Sequence, residues 1–323
     1  MGSTFPVDLQ TRRLRYALAV ADRLSFTAAA AHLHTSQQGL SDQIGRLESQ
    51  LGFRLFERTT RSVRLTPAGE RFLSDARAAL LLLGTAVDEA RSVADERPRL
   101  RLGFLTGAAA DLTDPILDAF TATHPDLDLD LREHPLTDTS AGLRDGISDV
   151  AFVRAPLTIE GLDVIVLAAE PRVVAMAREH PLAGRAVLRA KDLEAWPVLG
   201  GPGDDPVFTA FWSLQDLQPP PAITSAGRSP SVPEELTVVA RGRAVSITAA
   251  SAARFLPWPG VVFRGLQDCP PSQICVARRL HDDRAHVRAF LACASTATAA
   301  HPALIAALAY GGPRPCNPRP SAM

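Results

Sequence analysis

The chain has few cysteines, and they are confined to its C-terminal part. Cys269, Cys275, Cys293 and Cys316 have no C-x-x-C spacing and no histidine cluster beside them. We therefore expect reduced, mostly buried thiols, as in a cytosolic protein. A redox pair of Cys269 and Cys275 stays open as an alternative, although no basic neighbour in the sequence indicates a lowered thiol pKa.

Long apolar runs are also absent. The stretch MGSTFPVDLQTRR has no continuous apolar segment of the kind found in signal peptides, and no run in the chain approaches the ~20 apolar residues of a membrane span. We expect a cytoplasmic protein without a membrane partner. With 323 residues, 46% of them hydrophobic, the chain can form two or three compact units with cores of their own.

Motifs of common enzyme classes are missing as well. The sequence contains no G-x-S-x-G, H-E-x-x-H or G-x-x-x-x-G-K-[ST] motif and no complete G-x-G-x-x-G. The glycines of GGPGDDP lack the strand-to-helix context of a phosphate loop. The eight histidines are scattered, and His32 and His34 point to different faces of a helix end. The sequence therefore predicts no enzyme activity, no metal and no cofactor.

The most informative segment that is present covers residues 25–66. Ser25 and Ser36 are candidate N-caps of two short helices joined by a tight turn. The second helix has one apolar stripe at steps of four, three and four residues, formed by Leu40, Ile44, Leu47 and Leu51. This pattern predicts a helix pair with one buried side.

The opposite side of the second helix is polar and carries short side chains. Gln37, Gln38 and Ser41 can hydrogen-bond base edges where a helix enters a groove. After Gly52, a candidate C-terminal cap, the sequence predicts a small hairpin. Its tip is basic and rich in hydroxyl groups, a composition that binds phosphate oxygens without reading base sequence.

The charge distribution agrees with this interpretation. Residues 1–71 contain ten arginines against six acidic residues, whereas the whole chain has a net charge of -1. The overall balance excludes a protein that coats DNA nonspecifically. An ordinary amphipathic helix pair is the alternative. However, packing alone rarely requires a capped helix, a tight turn, a polar-faced helix and an arginine-rich hairpin in succession.

These residues closely resemble the LysR-type transcriptional regulators. The pattern S-F-T-x-A-A-x-x-L-H-x-S-Q-x-x-L-S-x-Q-I-x-x-L-E-x-x-L-G-x-x-L-F-x-R runs over residues 25–58, and R-x-V-x-L-T-x-A-G over residues 61–69. The resemblance implies a winged helix-turn-helix over residues 8–66 with a recognition helix that begins near Ser36. It assigns DNA contacts to Ser36, Gln37, Gln38, Ser41, Asp42, Arg46, Arg58, Thr59, Arg61 and Arg64.

Two positions on the reading face depart from the family pattern. Relatives commonly have Pro in place of Gln38 and often a basic residue in place of Asp42. A carboxylate is repelled by phosphate, so Asp42 either accepts from a cytosine amino group or faces solvent, and we favour the second.

A long helix is predicted after the hairpin. Thr66 and Pro67 give a cap and a favourable first residue, and the helical pattern runs to about residue 95. A coiled-coil seam is indicated by Phe72, Ala76, Ala79, Leu83, Ala86 and Ala90. A helix of ~29 residues extends about 43 Å, which exceeds the winged domain and favours dimerisation over intramolecular packing. The resemblance implies a linker helix over residues 67–97 that pairs two subunits.

Strands and helices alternate in the rest of the chain. Strands are predicted at residues 100–107, 127–133, 148–154, 172–176, 244–248 and 272–280, and helices at 112–123, 139–146, 206–217, 233–241 and 284–294. The alternation predicts a parallel sheet with helices on its faces, arranged as two α/β lobes. A cleft between two lobes is a common ligand site.

The family resemblance extends over this half more loosely. It implies an effector-binding domain at residues 98–310, similar in fold to periplasmic binding proteins, with lobe I at about 98–168 and 270–310 and lobe II at about 169–269. Residues 311–323 are expected to be a disordered tail. By position, the cleft residues are Thr106, Gly107, Pro135, Leu136, Arg154, Phe208 and Thr248.

Two of these cleft residues have alternatives. Arg154 either pairs with an effector carboxylate or with an acidic neighbour in the protein. Phe208 either lines the cleft or belongs to the core. If Arg154 pairs with the effector and Phe208 lines the cleft, the effector is expected to be a small or aromatic carboxylate.

The sequence thus predicts a homo-oligomeric, ligand-responsive transcription factor. Its expected partners are double-stranded operator DNA, a small-molecule effector, further copies of the chain in a homodimer or homotetramer, and RNA polymerase. Occupancy of the cleft would change the spacing of the DNA-binding domains. A ligand-binding protein whose N-terminal helices serve only assembly, and an enzyme with an unrecognised cleft site, are the competing hypotheses.

Overall fold

The computed structural model describes residues 9–58, 63–94, 98–107, 109–201, 203, 205–229 and 231–310. The chain divides into two compact units, Met1–Ala94 and Asp95–Met323. The predictions made for Thr59, Arg61, Cys316 and the tail 311–323 lie outside the described residues.

The first unit contains four helices and a hairpin among its described residues. These elements are α1 (Thr11–Arg23), α2 (Phe26–His32), α3 (Gln37–Leu51), β1 (Phe56–Arg58), β2 (Val63–Leu65) and α4 (Pro67–Ala94). β1 and β2 are antiparallel, with Phe56 opposite Leu65. The helix pair, the hairpin and the long helix follow the predicted order, while α1 was not predicted.

The helix boundaries have the local causes that the sequence indicates. Ser25, Ser36 and Thr66 each accept a hydrogen bond from the backbone N–H three residues later, at 3.2, 3.1 and 2.8 Å. Gly52 ends α3 with a φ of 81°, a conformation that glycine adopts without a steric penalty. The predicted caps are therefore confirmed.

The core of this unit is formed by the stripe of α3. Leu40, Ile44 and Leu47 are 0% exposed and pack with Val20 of α1 and Phe56 of β1. Burying a side chain of this size stabilises a fold by about 1.5–3 kcal/mol. The stripe leaves the opposite face of α3 outside the core.

Only the first part of α4 belongs to this core. Leu73 and Ala76 are buried in it, and Gly69 lies so close to the backbone of Leu55 that a Cβ atom would collide with it. Further along the helix, Leu82 and Leu83 are 71% and 48% exposed. The N-terminal part of the predicted seam thus packs within the unit, and the later part does not.

The second unit has two sheets, which we call lobe I and lobe II together with their helices. Lobe I begins with β3 (Arg99–Leu105), α5 (Thr113–Thr123), β4 (Asp128–His134), β5 (Val150–Ala155) and β6 (Leu162–Glu170).

Lobe II follows with β7 (Arg172–Ala177), β8 (Val187–Leu188), β9 (Pro197–Gly200), α6 (Pro206–Trp212), β10 (Thr224–Arg228), α7 (Val232–Ala240), β11 (Val245–Ala249), α8 (Ala252–Phe255) and β12 (Val261–Leu266). The chain then returns to lobe I with β13 (Ser272–Arg279), α9 (Ala285–Ala299) and α10 (Pro302–Tyr310).

Both sheets are mixed, which corrects the prediction of a parallel sheet. The strand order is β4-β3-β5-β13-β6 in lobe I and β10-β9-β11-β7-β12-β8 in lobe II. β13 runs antiparallel to β5 and β6, and β7 runs antiparallel to β11 and β12. The reversal arises because the chain crosses twice between the lobes, and each crossing strand enters its sheet from the opposite end.

The predicted helix at 139–146 is wrong, because this segment consists of turns. Ala141 and Gly142 have φ angles of 48° and 84°, which no right-handed helix contains. Asp138 accepts from the backbone N–H of Gly142 at 2.7 Å and holds this turn. A carboxylate that bonds nearby backbone competes with helix formation.

Among the described residues, no single helix is both long and apolar enough to cross a membrane, and α9 and α10 meet such a criterion only as a pair bent by 78°. Phe290 and Leu291 of α9 are buried in the core of lobe I.

Candidate nucleic-acid interface and effector pocket

The polar face of α3 is open to solvent. Five of the predicted DNA-binding residues at this face are exposed: Ser36, Gln37, Gln38, Asp42 and Arg46. Ser41 is partly buried, and Arg64 of β2 is exposed. The exposure of Asp42 agrees with a solvent-facing side chain. A helix with uncovered glutamine side chains has the chemistry needed to contact base edges.

Arg58 has contacts within the domain that the sequence did not reveal. Its Nη1 donates to Oγ of Ser41 at 2.8 Å, and its guanidinium carbon lies 4.1 Å from the ring centre of Phe26. Its Nη2 lies 3.7 Å from a carboxylate oxygen of Glu48. Arg58 therefore ties strand β1 to the recognition helix α3 and fixes the orientation of the Ser41 side chain.

Glu48 holds the same junction from the other side. Its Oε1 accepts from the backbone N–H groups of Leu55 and Phe56 at 2.8 and 3.1 Å. Arg13 of α1 donates to Gln43 at 3.2 Å and to Gln50 at 3.3 Å. Side-chain contacts thus hold helix α3 against α1 and against the hairpin.

A pocket opens between the two lobes of the second unit. Its wall includes the ends of β3 and β5 from lobe I and parts of β9, α6, α7, β11 and α8 from lobe II. The cavity between these side chains has a volume of about 100 Å³.

Six of the seven predicted effector residues line this pocket: Thr106, Gly107, Leu136, Arg154, Phe208 and Thr248. Pro135 is the exception. It follows the last residue of β4, is exposed, and lies outside the pocket wall. Phe208 fulfils both alternatives, since it is only 4% exposed and still faces the pocket. The Thr106 hydroxyl donates to Glu133 within lobe I.

Arg154 already has a counter-charge. Its Nη1 pairs with Oε1 of Glu170, a residue that is 1% exposed. Its Nη2 donates to the backbone oxygen of Gly107 at 2.9 Å and to Oγ of Ser251 at 3.3 Å. Of the two alternatives, Arg154 thus has an acidic neighbour as its partner. An effector carboxylate would have to compete with Glu170.

Glu235 is a pocket residue that the sequence reasoning missed. It lies on α7, lines the pocket and accepts a hydrogen bond from the hydroxyl of Ser246 on β11. Burial raises the pKa of its carboxyl, although the Ser246 hydrogen bond opposes this shift. The sequence held a signal for it: Glu235 is three residues after Val232 and four before Val239, which places an acid on the apolar face of a helix.

Side-chain contacts of Asp205 and Arg254 join the lobes beside the pocket. Asp205 of lobe II caps α6, and it also accepts from the hydroxyls of Thr139 and Thr158 of lobe I at 3.0 and 2.9 Å. Arg254 of lobe II forms an ion pair with Asp111 of lobe I. These groups hold the two lobes in the arrangement seen in the structure.

The described thiols do not have the environment of reactive cysteines. Burial raises the pKa of Cys269 to about 12 and that of Cys275 to about 11. Thiols with raised pKa values form little thiolate, the reactive species, at neutral pH. The alternative of a redox pair therefore finds no support in their surroundings.

A helix-turn-helix with a hairpin wing and a two-lobed α/β domain with an interlobe pocket define a DNA-binding transcription regulator with an effector-binding domain. Comparison with known proteins gives the family. The family profile described as "Bacterial regulatory helix-turn-helix protein, lysR family" matches residues 11–70, and "LysR substrate binding domain" matches residues 94–299. The chain belongs to the LysR family of transcriptional regulators.

Individual relatives agree with this assignment. The chain is 36% identical over 217 residues to the Hca operon transcriptional activator HcaR of Escherichia coli, a match that covers 65% of this chain and 73% of the relative. It is 33% identical over 202 residues to the regulator AlsR of Bacillus subtilis, covering 59% and 67%. The solved structure of CbnR, a LysR family transcriptional regulator, aligns with a TM-score of 0.53 and 26% identity, covering 90% of this chain and 99% of CbnR.

Proposed function

We propose that this protein binds operator DNA as a homodimer or homotetramer and that a small molecule in the interlobe pocket alters this binding. The observation that carries the proposal is the uncovered polar face of α3, with Gln37 and Gln38 exposed beside an arginine-bearing hairpin. The family membership supports it, because helix-turn-helix proteins insert this helix in the major groove.

The domain roles follow from this proposal. Residues 8–66 bind DNA, residues 67–97 pair the subunits, and residues 98–310 sense the effector. The exposed leucines of α4 support the pairing role, because an apolar helix surface of this kind is stabilised when a second helix covers it.

The individual residues have different roles on DNA. Gln37, Gln38 and Ser41 read base edges, while Arg46 and Arg64 contact phosphates as exposed cations. Arg58 acts on DNA chiefly through Ser41, whose hydroxyl it orients. The family resemblance also assigns DNA contacts to Ser36, Asp42, Thr59 and Arg61, and of these Arg61 is the one expected to contact the phosphate backbone.

Three further parts of the proposal concern partners and chemistry. One relative, HcaR, is named an operon transcriptional activator, which makes RNA polymerase a candidate partner of this chain. The relatives are transcriptional regulators, and we propose that this chain likewise has no enzyme activity and acts in the cytoplasm. The effector binds without being converted.

Operator binding by purified variants tests the DNA interface. We expect Arg64→Ala to weaken binding to all sequences and to reduce the salt dependence of the affinity by about one unit of slope, because one phosphate contact is lost. Gln37→Ala should weaken binding to the operator by about 1–3 kcal/mol but change binding to random DNA little. Fluorescence anisotropy at several salt concentrations measures both effects.

Arg288→Ala is the matched control, because it removes one exposed arginine from α9 in the effector unit. It should leave operator affinity and salt slope unchanged. If the Arg64 and Gln37 variants behave like this control, the N-terminal unit does not bind DNA as proposed. If the unmodified chain showed no specific operator binding at all, a ligand-binding protein whose N-terminal helices serve only assembly would be the better description.

A further inference from the structure

The pocket wall contains an unusual combination of charges, from which its ligand class can be inferred. We propose that the interlobe pocket binds an organic cation, an amine carried on an apolar or aromatic body, and that Glu235 with Ser246 holds the ammonium group. This inference rests on the proposed function, since it names the class of effector for the same pocket.

The first argument is the state of Arg154, the arginine that the described residues contribute to the pocket wall. Arg154 and Glu170 form a pair whose charges cancel, and both oxygens of Glu170 also accept from Ser251, at 2.7 Å from its N–H and 3.1 Å from its hydroxyl. An anionic ligand would have to displace Glu170, a carboxylate that is 1% exposed and would be left without its cation. The pocket is therefore poorly suited to a carboxylate.

The second argument is the carboxylate of Glu235, for which the described residues of the pocket wall provide a hydroxyl group as partner and no ion pair. Among the described residues of the pocket wall, Glu235 is the acidic side chain, and the contact that the structure gives its carboxylate is the neutral hydroxyl of Ser246. Ionised Glu235 gives the pocket an excess of one negative charge. An ammonium group beside it would form a charge-assisted hydrogen bond and offset the cost of burying the carboxylate.

The raised pKa of Glu235 agrees with this argument, because its cause is the burial of the carboxyl, which the hydrogen bond from Ser246 only partly opposes. Binding of an ammonium group would supply a cation and favour the ionised form.

The third argument is the rest of the wall. Phe208, Trp212, Phe255 and Phe263 line the same pocket as Glu235. Aromatic rings favour an apolar ligand body, and their faces also attract cations. An amine on an aromatic or apolar body therefore matches both parts of the wall.

Calorimetric titration of the full chain with three ligands of similar shape tests the inference. Phenethylamine, phenethyl alcohol and hydrocinnamate share an aromatic body and differ in the charge of the polar group. We expect the amine to bind at least about tenfold more tightly than the other two, because only the amine forms a charge-assisted bond with Glu235.

The Glu235→Gln variant keeps the shape of the side chain and removes its charge, and it should abolish most of the preference for the amine. Glu234→Gln removes an exposed carboxylate from the neighbouring position of α7 and should retain the preference. The inference is overturned if hydrocinnamate or the alcohol binds as tightly as the amine, if the preference survives in Glu235→Gln, or if the amine does not bind at millimolar concentration.

Operator binding of the same samples without ligand separates this inference from the proposed function. Intact operator binding together with a preference for hydrocinnamate would overturn the ligand class alone. Loss of specific operator binding in the unmodified protein would overturn the proposed function, whatever the ligand series gives.

Discussion

Asp149 lies at the centre of a group of buried charges in lobe I and is 1% exposed. Arg101 donates to its two carboxylate oxygens at 3.0 and 2.8 Å, and Arg284 pairs with it as well. Burial by itself raises the pKa of Asp149, but the hydrogen bond from Arg101 and the charge of Arg284 outweigh it and hold the pKa well below its usual value. The ionised form is therefore favoured by the folded state.

Asp149→Asn should destabilise the second unit by about 3–5 kcal/mol at neutral pH, because Arg101 and Arg284, whose side chains are mostly buried, each lose a charged partner. Since the pKa is lowered on folding, this contribution is complete above about pH 5 and is lost as the pH falls toward the lowered pKa. Urea unfolding at neutral and acidic pH measures the difference, which should shrink with acid.

The control for this prediction is Asp163→Asn, which removes a more exposed partner of Arg278. It should cost no more than about 1 kcal/mol, as is typical of surface ion pairs. Equal stabilities of the Asp149 variant and the unmodified protein at neutral pH would contradict the assigned role.

The arginine pairs also show how far single residues can be interpreted from sequence. For Arg154 the sequence left two partners open, and the structure contains the acidic one, Glu170, which is 16 positions away along the chain. Nothing local to either residue identifies the pair, because it forms only when β5 and β6 lie on the two sides of β13 in one sheet. Glu235 was accessible to sequence reasoning, since helical spacing alone places it on an apolar face.

At the scale of elements, the apolar side of α4 is buried in its first part and exposed in its later part. Leu73 and Ala76 pack into the first unit, and Arg77 pairs with Asp22 beside them. Leu83 and Val87, one turn apart, are 48% and 43% exposed. The periodic pattern predicted a single pairing seam, because spacing does not specify which surface covers each turn.

Leu83→Glu should therefore disrupt pairing without unfolding the first unit. A charge at an apolar contact between helices is destabilising, whereas the same side chain in solvent costs little. We expect a shift toward monomers in light scattering and a loss of operator affinity.

Leu280→Glu serves as the control, because Leu280 is equally exposed at 49% but lies after β13 in the second unit. It should leave the oligomeric state and the operator affinity unchanged. A Leu83 variant that keeps its oligomeric state would mean that the exposed part of α4 is not the pairing surface.

At the scale of the whole second unit, the lobes are connected through a helix cap. Asp205 caps α6 by accepting from the N–H groups of Val207 and Phe208, and the same carboxylate accepts from Thr139 and Thr158 of lobe I. Burial raises the pKa of Asp205, but the bonds from Thr158 and Phe208 outweigh this effect and lower it. One side chain thus links the lobe contact to a helix that lines the pocket.

Asp205→Ala should weaken both the N-terminal cap of α6 and the contact between the two lobes. The lost cap costs about 1 kcal/mol, and the loss of the lobe contact should increase amide hydrogen exchange at the turns that contain Thr139 and Thr158 as well as in α6. Hydrogen exchange followed by mass spectrometry resolves these segments.

The matched control is Ser231→Ala, which removes the cap of α7, bonded at 3.4 Å to the N–H of Glu234, within lobe II. It should increase exchange in α7 and leave the lobe I turns unchanged. If both variants affect only their own helices, Asp205 does not hold the lobes together.

Apart from α1, the sequence by itself determined the local elements of the first unit, and it determined the family. Caps at Ser25, Ser36 and Thr66 and the stripe of α3 are interactions among residues close in the chain, so pattern and spacing predict them. The same holds for most strands of the second unit, whereas the six residues of the pocket wall were predicted from the family resemblance by their position in the chain.

Only the tertiary structure decided what these elements contact. The antiparallel entry of β13, the partner of Arg154, the division of α4 into a buried and an exposed part, and the exclusion of Pro135 from the pocket all depend on residues distant in sequence. Such contacts follow from the way the sheets assemble and from which surfaces they cover, and neither is encoded in local spacing. The ligand class inferred for the pocket accordingly rests on charges that the fold brings together.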